Sequence, residues 1–365
     1  MKKVKPHFAF LIHPPELKDV SKRYPIANYI PGFILEKILR ILPPLIGTQI
    51  TGFKLNGKEI PGIIVICPLT AQQMLKYPQL AEKKVTQSVL LAERLGCEYI
   101  GLGAFTSIAT DGGLSLINKV NNIKLTSGNV YAAALIIENI QKAAKILNTD
   151  ISKASLAIVG AAGSVGSACS RILSKKVNKI ILIDKRFDEL GKIAQVIKSN
   201  NNQIDLEYYP NIPSPIHADI VVSVASASKG IIESSHLRPG TIVIDAAQPH
   251  NVSAKVLETR NDVIIIHSGI AYLAGIDLQM NIGLNKEEIY ACLGEVLMLM
   301  YRNWDNHYSL GPVNPELVEE VLVYAPKIGL RVADFRNGKK MVKDEDIIRV
   351  IKSCHSGEKN GLSSL

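Results

Sequence analysis

Apolar residues along this chain follow two alternating rhythms. Runs of four to six residues, namely Phe8 to Ile12, Ile63 to Ile66, Tyr99 to Leu102, Leu156 to Val159, Lys179 to Asp184, Ile220 to Val224, Thr241 to Asp245 and Val263 to His267, read as buried strands. Between them lie longer stretches with the helical period, such as Gln79 to Leu95 and the run from Asn129 to about Leu147. This alternation predicts an α/β chain. The expected architecture is a central Rossmann-type, doubly wound parallel sheet, with an N-terminal α/β substrate domain and a helical C-terminal part. The polar break Asn148 to Lys153 and the helical patterning beyond Asn285 place the domains at residues 1–147, 148–275 and 276–365. Asn285, with Glu288 three residues on, forms an N-cap signature, so a helix is expected over Ile289 to Trp304.

One strand carries a specific chemistry at its end. Leu156 to Val159 stops at Gly160, and Gly160, Gly163 and Gly166 follow at intervals of three. The first glycine suits a tight turn, the second a close approach of backbone to pyrophosphate, and the third close helix packing. A helix from about Ser164, with Val165 in its first turn, would aim free N–H groups and its positive dipole end at phosphates. The next strand ends in Asp184, 18 residues after Gly166, close to the roughly 20 expected of a ribose-binding acid. An acid there favours NAD, while Lys185 and Arg186 follow at once and suit a 2′-phosphate. Val224, Ala225 and Ser226, after the strand Ile220 to Val224, complete the expected cofactor site.

Composition narrows the partners. The 365 residues carry a net charge of +9, which suits nucleic acid, anionic lipid or an acidic protein. Aromatic content of 5% and scattered Lys and Arg argue against nucleic acid. Cys67, Cys97, Cys169, Cys292 and Cys354 are far apart and in no metal-ligand spacing, so neither a disulfide framework nor a metal site is expected. The apolar run Phe8 to Ile12 is too short for a signal-peptide core, and no stretch reaches the ~20 apolar residues that span a bilayer. A cytoplasmic setting is the expectation.

Two further features bear on substrate. Pro31 to Pro44 reads as a proline-bounded helix with Phe33, Ile34, Ile38, Ile41 and Leu42 on one side, a face for its own domain or for a lipid surface. The hydroxyl-rich loops Thr106-Ser107 and Thr126-Ser127 follow strands, where ligands sit in α/β folds, although each hydroxyl there is also a natural helix cap.

By sequence physics alone Cys292 is a core cysteine on an apolar helix. An ordered set of motifs changes that reading: G-L-G-A-F-T-S-I at Gly101 to Ile108, T-S-G-N at Thr126 to Asn129, V-G-A-A-G-S-V-G-S-A at Val159 to Ala168, V-A-S-A at Val224 to Ala227, and Y-A-C-L-G-E at Tyr290 to Glu295. Together they resemble the long-chain acyl-[acyl-carrier-protein] reductases, the aldehyde-forming enzymes best known from cyanobacteria, over about Thr86 to Arg336. The resemblance implies an acyl-binding domain, a Rossmann domain for NADPH, and Cys292 as the acyl-accepting nucleophile in NADPH-dependent reduction of a fatty acyl thioester to a fatty aldehyde. NADPH is the implied cofactor, with NADH left open by Asp184. The implied acyl donor is acyl carrier protein or acyl-coenzyme A, and peripheral membrane contact and hand-over to a downstream aldehyde-using enzyme go with such a product. The expected Ile289–Trp304 helix places Cys292 well inside, where the dipole effect has largely faded.

Thr106, Ser107, Ser127 and Asn129 are the candidate substrate contacts and oxyanion donors from the matching loops. His267 and His307 are candidates for moving protons, and Glu295 for orienting its neighbours. Two other readings remain at this point. One is a shikimate-dehydrogenase-like NAD(P) oxidoreductase acting on a small polar substrate, and the other a non-catalytic acyl- or carrier-binding module.

Overall fold

The computed structural model describes residues 5–227, 229–338 and 340–361, with side chains through Lys352; Cys354 lies beyond those side chains. The chain divides into two compact units, one of residues 1–131, 271–312 and 323–331, the other of 132–270, 313–322 and 332–365. The residues after 270 are therefore shared between the two.

In the first unit the β-branched runs form a five-stranded sheet. Its strands are β1 (Phe8–Ile12), β2 (Leu45–Ile50), β3 (Gly62–Ile66), β4 (Tyr99–Leu102) and β5 (Lys124–Thr126), in the order β2-β3-β1-β4-β5. All neighbours are parallel except the edge strand β2, which runs antiparallel to β3. The helix Pro78–Arg94 lays Ala81, Val85, Val89 and Ala92 into the core that Leu11, Val65, Ile100 and Leu125 share. That spacing is what one face of an amphipathic helix requires.

The proline-bounded helix forms over Gly32–Ile41, but its inward ridge is Leu35 and Leu39 rather than the predicted Phe33 side. Phe33 is 66% exposed and Ile41 80%, and Ile26 and Tyr29 just before the helix are 74% and 88% exposed. Glu36, Lys37 and Arg40 stand three, four and seven residues from Phe33 and so share its face, while Leu35 and Leu39 lie on the other side; the helical period, applied strictly, separates Phe33 from the buried ridge. No helix among the described residues is long and apolar enough to cross a membrane.

The second unit is the expected Rossmann-type sheet. Strands β6 (Ser155–Val159), β7 (Lys179–Ile183), β8 (Asp205–Tyr209), β9 (Ile220–Ser223), β10 (Ile242–Asp245) and β11 (Ile264–His267) pair all-parallel in the order β8-β7-β6-β9-β10-β11. This is the strand order of two mononucleotide-binding halves that meet at the first strand. At its carboxyl edge Val159, Ser223, Asp245 and His267 stand side by side in register. Strands buried on both faces explain why these runs are continuously apolar rather than alternating.

Candidate active site

Cys292 is not deep within a helix. Glu288–Tyr290 is a short strand and the helix begins at Ala291, so Cys292 is its second residue. The predicted cap contact is made, with the Asn285 amide donating to Glu288 at 2.8 Å, but it closes a turn before the strand instead of starting the helix. Local cap chemistry is legible in the sequence; that a strand intervenes is a matter of sheet pairing. The correction matters, because the dipole and free N–H groups of a helix act in the first turn.

The backbone amides of Leu293, of Cys292 itself and of Ala104 lie where they favour the thiolate form of Cys292. Ala104 holds φ +49 and ψ −122, a conformation costly for a residue with a Cβ, and it immediately precedes the short helix Phe105–Ile108. Its strain orients a backbone donor toward the thiol. Nothing in the sequence signals it, since alanine is no residue for a positive φ. Desolvation still pushes the Cys292 thiol up to about 12, with the nearby Glu295 acting in the same direction against the three amides. At rest the group is a thiol. Cys67, Cys97 and Cys169 are buried, whereas Cys292 keeps partial exposure.

Two motif glycines make room for this helix start. A Cβ on Gly128, which holds φ +76, would lie 2.2 Å from Cys292 Cα, and one on Gly101 would lie 2.7 Å from the Cys292 carbonyl oxygen. Neither position tolerates a side chain unless the backbone moves. The motifs around Gly101, Gly128 and Cys292, remote in sequence, are thus one packed object.

Glu295, one turn along the helix from Cys292, is fully buried. Its carboxylate accepts from the Thr126 hydroxyl and from the Tyr131 amide at 2.7 Å, with further hydrogen bonds from Ser309 and the Gly128 amide. Burial pushes its carboxyl up to about 7 while those donors pull the other way. Glu295 pins the loop that backs Cys292, and no cation is among these contacts. The candidate hydroxyls are engaged nearby: Thr106 donates to the Gly103 carbonyl at 2.8 Å, and Ser127 donates to the Ser309 carbonyl. Ser107 is buried, and the Asn129 amide meets Ser127 Oγ at 3.4 Å. His307 Nδ1 accepts from the Leu125 amide at 3.2 Å, and burial lowers its pKa.

The glycine turn of the second unit has the shape a dinucleotide needs. Gly160 holds φ +93, and a Cβ there would sit 2.6 Å from the Ala225 nitrogen; one on Gly166 would sit 2.1 Å from the Gly160 carbonyl oxygen. Gly163 caps the helix Ser164–Leu173, with Val165 in its first turn. Asp184 accepts from the Ala162 amide at 3.2 Å and side-on from the Arg186 guanidinium at 3.1 and 3.0 Å. Burial works against its ionised form, yet Arg186 holds its carboxyl below the usual value. Arg186 therefore neutralises the acid and extends over the glycine loop, while Lys185 and Ser226 are exposed. The Val224 amide extends β9 by bonding the Val159 carbonyl at 2.9 Å. These residues fit the adenosine and pyrophosphate part of a nicotinamide dinucleotide.

Comparison with known proteins agrees with this geometry. Residues 141–267 match the shikimate/quinate 5-dehydrogenase family. The long-chain acyl-[acyl-carrier-protein] reductase of Synechococcus elongatus is 28% identical over 311 residues, 81% of this chain and 88% of that protein. The chain resembles that reductase along most of its length. The aminotransferase PigE of a Serratia species is 28% identical over 70% of this chain and 30% of its own length. The glutamyl-tRNA reductase of Chloroherpeton thalassium is 24% identical over 66% of this chain and 54% of its own. The chain spans about a third and about half of these last two proteins. Together with the Rossmann-type sheet, these likenesses support an oxidoreductase that uses a nicotinamide cofactor.

Proposed function

We propose that this protein reduces a long-chain fatty acyl thioester, carried on acyl carrier protein or coenzyme A, to a fatty aldehyde, with Cys292 as the acyl acceptor. The carrying observation is the placement of Cys292 in the first turn of its helix beneath the Ala104, Cys292 and Leu293 amides. In the first step the Cys292 sulfur bonds to the thioester carbonyl carbon, the carrier's C–S bond breaks, and the thiol proton leaves with the carrier sulfur. The exchange of one thioester for another is nearly balanced in energy, and the attacking form is the thiolate, so the Cys292 proton must be lost as the carbonyl is attacked. NADPH supplies the hydride that reduces the acyl group. Expulsion of the Cys292 thiolate then releases aldehyde, and the first-turn position of the sulfur favours the returning negative charge.

Asp184 paired to Arg186 supports NADPH over NADH, because the acid is already neutralised and the guanidinium is available to a 2′-phosphate. The basic surface suits an acidic carrier. The exposed Ile26, Tyr29, Phe33 and Ile41 support peripheral contact with a lipid surface that takes up an apolar product.

Intact-protein mass spectrometry after incubation with a long-chain acyl carrier protein tests this reading. An acyl adduct mapping to Cys292 is expected, disappearing as aldehyde forms on addition of NADPH, and a Cys292→Ala variant is expected to lose both. Absence of any adduct with acyl carrier protein and with acyl-coenzyme A would remove the mechanism and favour the small-substrate dehydrogenase reading.

A further inference from the structure

Two features lie apart from the Cys292 site and the glycine turn. One is internal to the Rossmann unit, where Asp245 ends β10, His267 ends β11 and His250 lies on the loop after β10. The two imidazoles stack with centroids 3.4 Å apart, His250 Nδ1 lies 3.9 Å from Asp245 Oδ2, and the Gly338 amide donates to His267 Nδ1 at 2.9 Å. Asp245 and His267 are buried, so this cluster faces inward. The other feature faces outward, on the first unit, and the chemistry at Cys292 makes no use of it.

It runs from the helix Leu17–Arg23 through the turn Pro25–Tyr29 to the helix Gly32–Ile41. Tyr29, Ile41, Ile26 and Phe33 are the four most exposed large apolar side chains among the described residues. The next, Val323, is 59% exposed and lies far along the chain. Single exposed apolar residues are ordinary, but a concentration of the most exposed ones between residues 26 and 41 marks an interaction surface. The helix Gly32–Ile41 does not need them for its own packing, because Leu35 and Leu39 supply its inward ridge.

Cations stand among these side chains. Phe33, Lys37 and Ile41 recur every four residues, with Arg40 seven from Phe33, so all four share one face of the helix. Lys37 and Arg23 are exposed, and Arg40 lies over the Tyr77 ring at 5.1 Å. Residues 16–41 carry five cations against the acids Glu16, Asp19 and Glu36. Glu16 pairs with Lys18 at 2.6 Å and Asp19 with Lys22 at 2.8 Å, whereas no described ion pair holds Arg23, Lys37 or Arg40. Apolar side chains interleaved with uncompensated cations suit the headgroup region of a bilayer: the former enter the acyl boundary and the latter stay with anionic phosphates. A protein partner is a poorer match, since the centre of a protein–protein interface is depleted of charge.

We propose that residues 23–41 dock on an anionic phospholipid surface, with Ile26, Tyr29, Phe33 and Ile41 entering the bilayer interface and Arg23, Lys37 and Arg40 meeting the headgroups. This deepens, and rests on, the lipid contact in the proposed function: it gives that contact a charge requirement and an orientation. An aldehyde formed from a long acyl chain is apolar, and a docked enzyme releases it where it dissolves.

Flotation of the full-length protein with lipid vesicles tests this. Binding to vesicles of phosphatidylcholine and phosphatidylglycerol is expected, about fivefold weaker with phosphatidylcholine alone or at high salt. Lys37→Glu combined with Arg40→Glu is expected to weaken binding to the mixed vesicles about fivefold as well. In a Phe33→Trp variant, tryptophan emission is expected to shift to the blue when the mixed vesicles are added, with no such shift in the wild type, whose tryptophan is Trp304. No flotation, flotation indifferent to the charge reversal, or an unshifted Phe33→Trp emission would overturn the proposal. So would a blue shift of Phe33→Trp produced without vesicles by acyl carrier protein or by raised protein concentration, which would give the face to a carrier or to a second copy of the chain. Cys292 acylation by a soluble acyl donor is read in the same preparations. Vesicle binding without acylation would remove the reductase reading alone, and acylation without vesicle binding the docking proposal alone.

Discussion

Each of the two units holds a buried cluster of titratable groups, and the clusters are built on opposite principles. Around Cys292 the carboxylate is matched within the chain: Glu295 takes the Thr126 hydroxyl and the Tyr131 amide, and nearby backbone amides favour charge on the sulfur. Around His267 two ring nitrogens and the Asn251 carbonyl oxygen are left unmatched. A matched cluster is rigid and fixes where a nucleophile sits. An unmatched one stores the cost of desolvation until something completes it. The contrast teaches that burial of polar groups has two uses, and that counting unmatched atoms tells them apart.

The largest effects should come from severing the two clusters separately. Gly128→Ala places a Cβ against the Cys292 backbone at a φ that alanine resists, and is expected to cut Cys292 acylation more than a hundredfold and to cost about 3 kcal/mol of stability. Gly160→Ala is the counterpart: loss of dinucleotide binding with acylation of Cys292 retained. Adduct formation and cofactor titration, measured on both variants, read the two functions. If each substitution abolished both, the units would not be separable in this way.

The clusters should also titrate with opposite sign. Glu295 has its carboxyl raised from 4.5 to about 7, so the stability tied to it is full below pH 4.5 and is lost as pH rises through about 7. His250 and His267 are depressed from 6.5 to about 4 and about 3, so their contribution is full above pH 6.5 and is lost as pH falls toward those values. Melting curves between about pH 3 and 8 check this. Glu295→Gln should remove a downward slope on the order of 3 kcal/mol across its window, and His267→Gln should flatten the acid limb. Profiles parallel to the wild type would show that other groups carry the titration.

The smallest effect belongs to the surface. Ile41→Ser combined with Phe33→Ser should lower co-sedimentation with anionic phospholipid vesicles a few-fold and leave Cys292 acylation unchanged. Unaltered sedimentation would leave those exposed side chains without a lipid role.

Much of the Rossmann unit is legible in the amino-acid sequence, because its information is local. A parallel strand buried on both faces must be apolar throughout, and Gly160, Gly163 and Gly166 recur at a spacing set by one turn and the helix after it. The site around Cys292 is legible only in part. Its motif marks the residue through a resemblance, but the cap signature at Asn285 and Glu288 puts the helix start too early, since no local rule announces that Glu288–Tyr290 will pair as a strand. The apolar helix at Gly32–Ile41 is evident from its pattern, and so is the exclusion of Phe33 from its buried ridge once the period is applied, because Glu36, Lys37 and Arg40 share the Phe33 face; which part of the remaining apolar arc is covered is decided by packing.

The order and type of the elements, the glycine turn and the importance of one thiol are thus written along the chain. They follow from periodicity and from residues whose backbone or chemistry has few substitutes. That Gly101, Ala104, Gly128 and Glu295 converge on Cys292, and that His250 meets His267, emerges only in the folded molecule. Such meetings depend on strand order and register, which bring together residues far apart in the chain, and no spacing along a sequence encodes a distance through space.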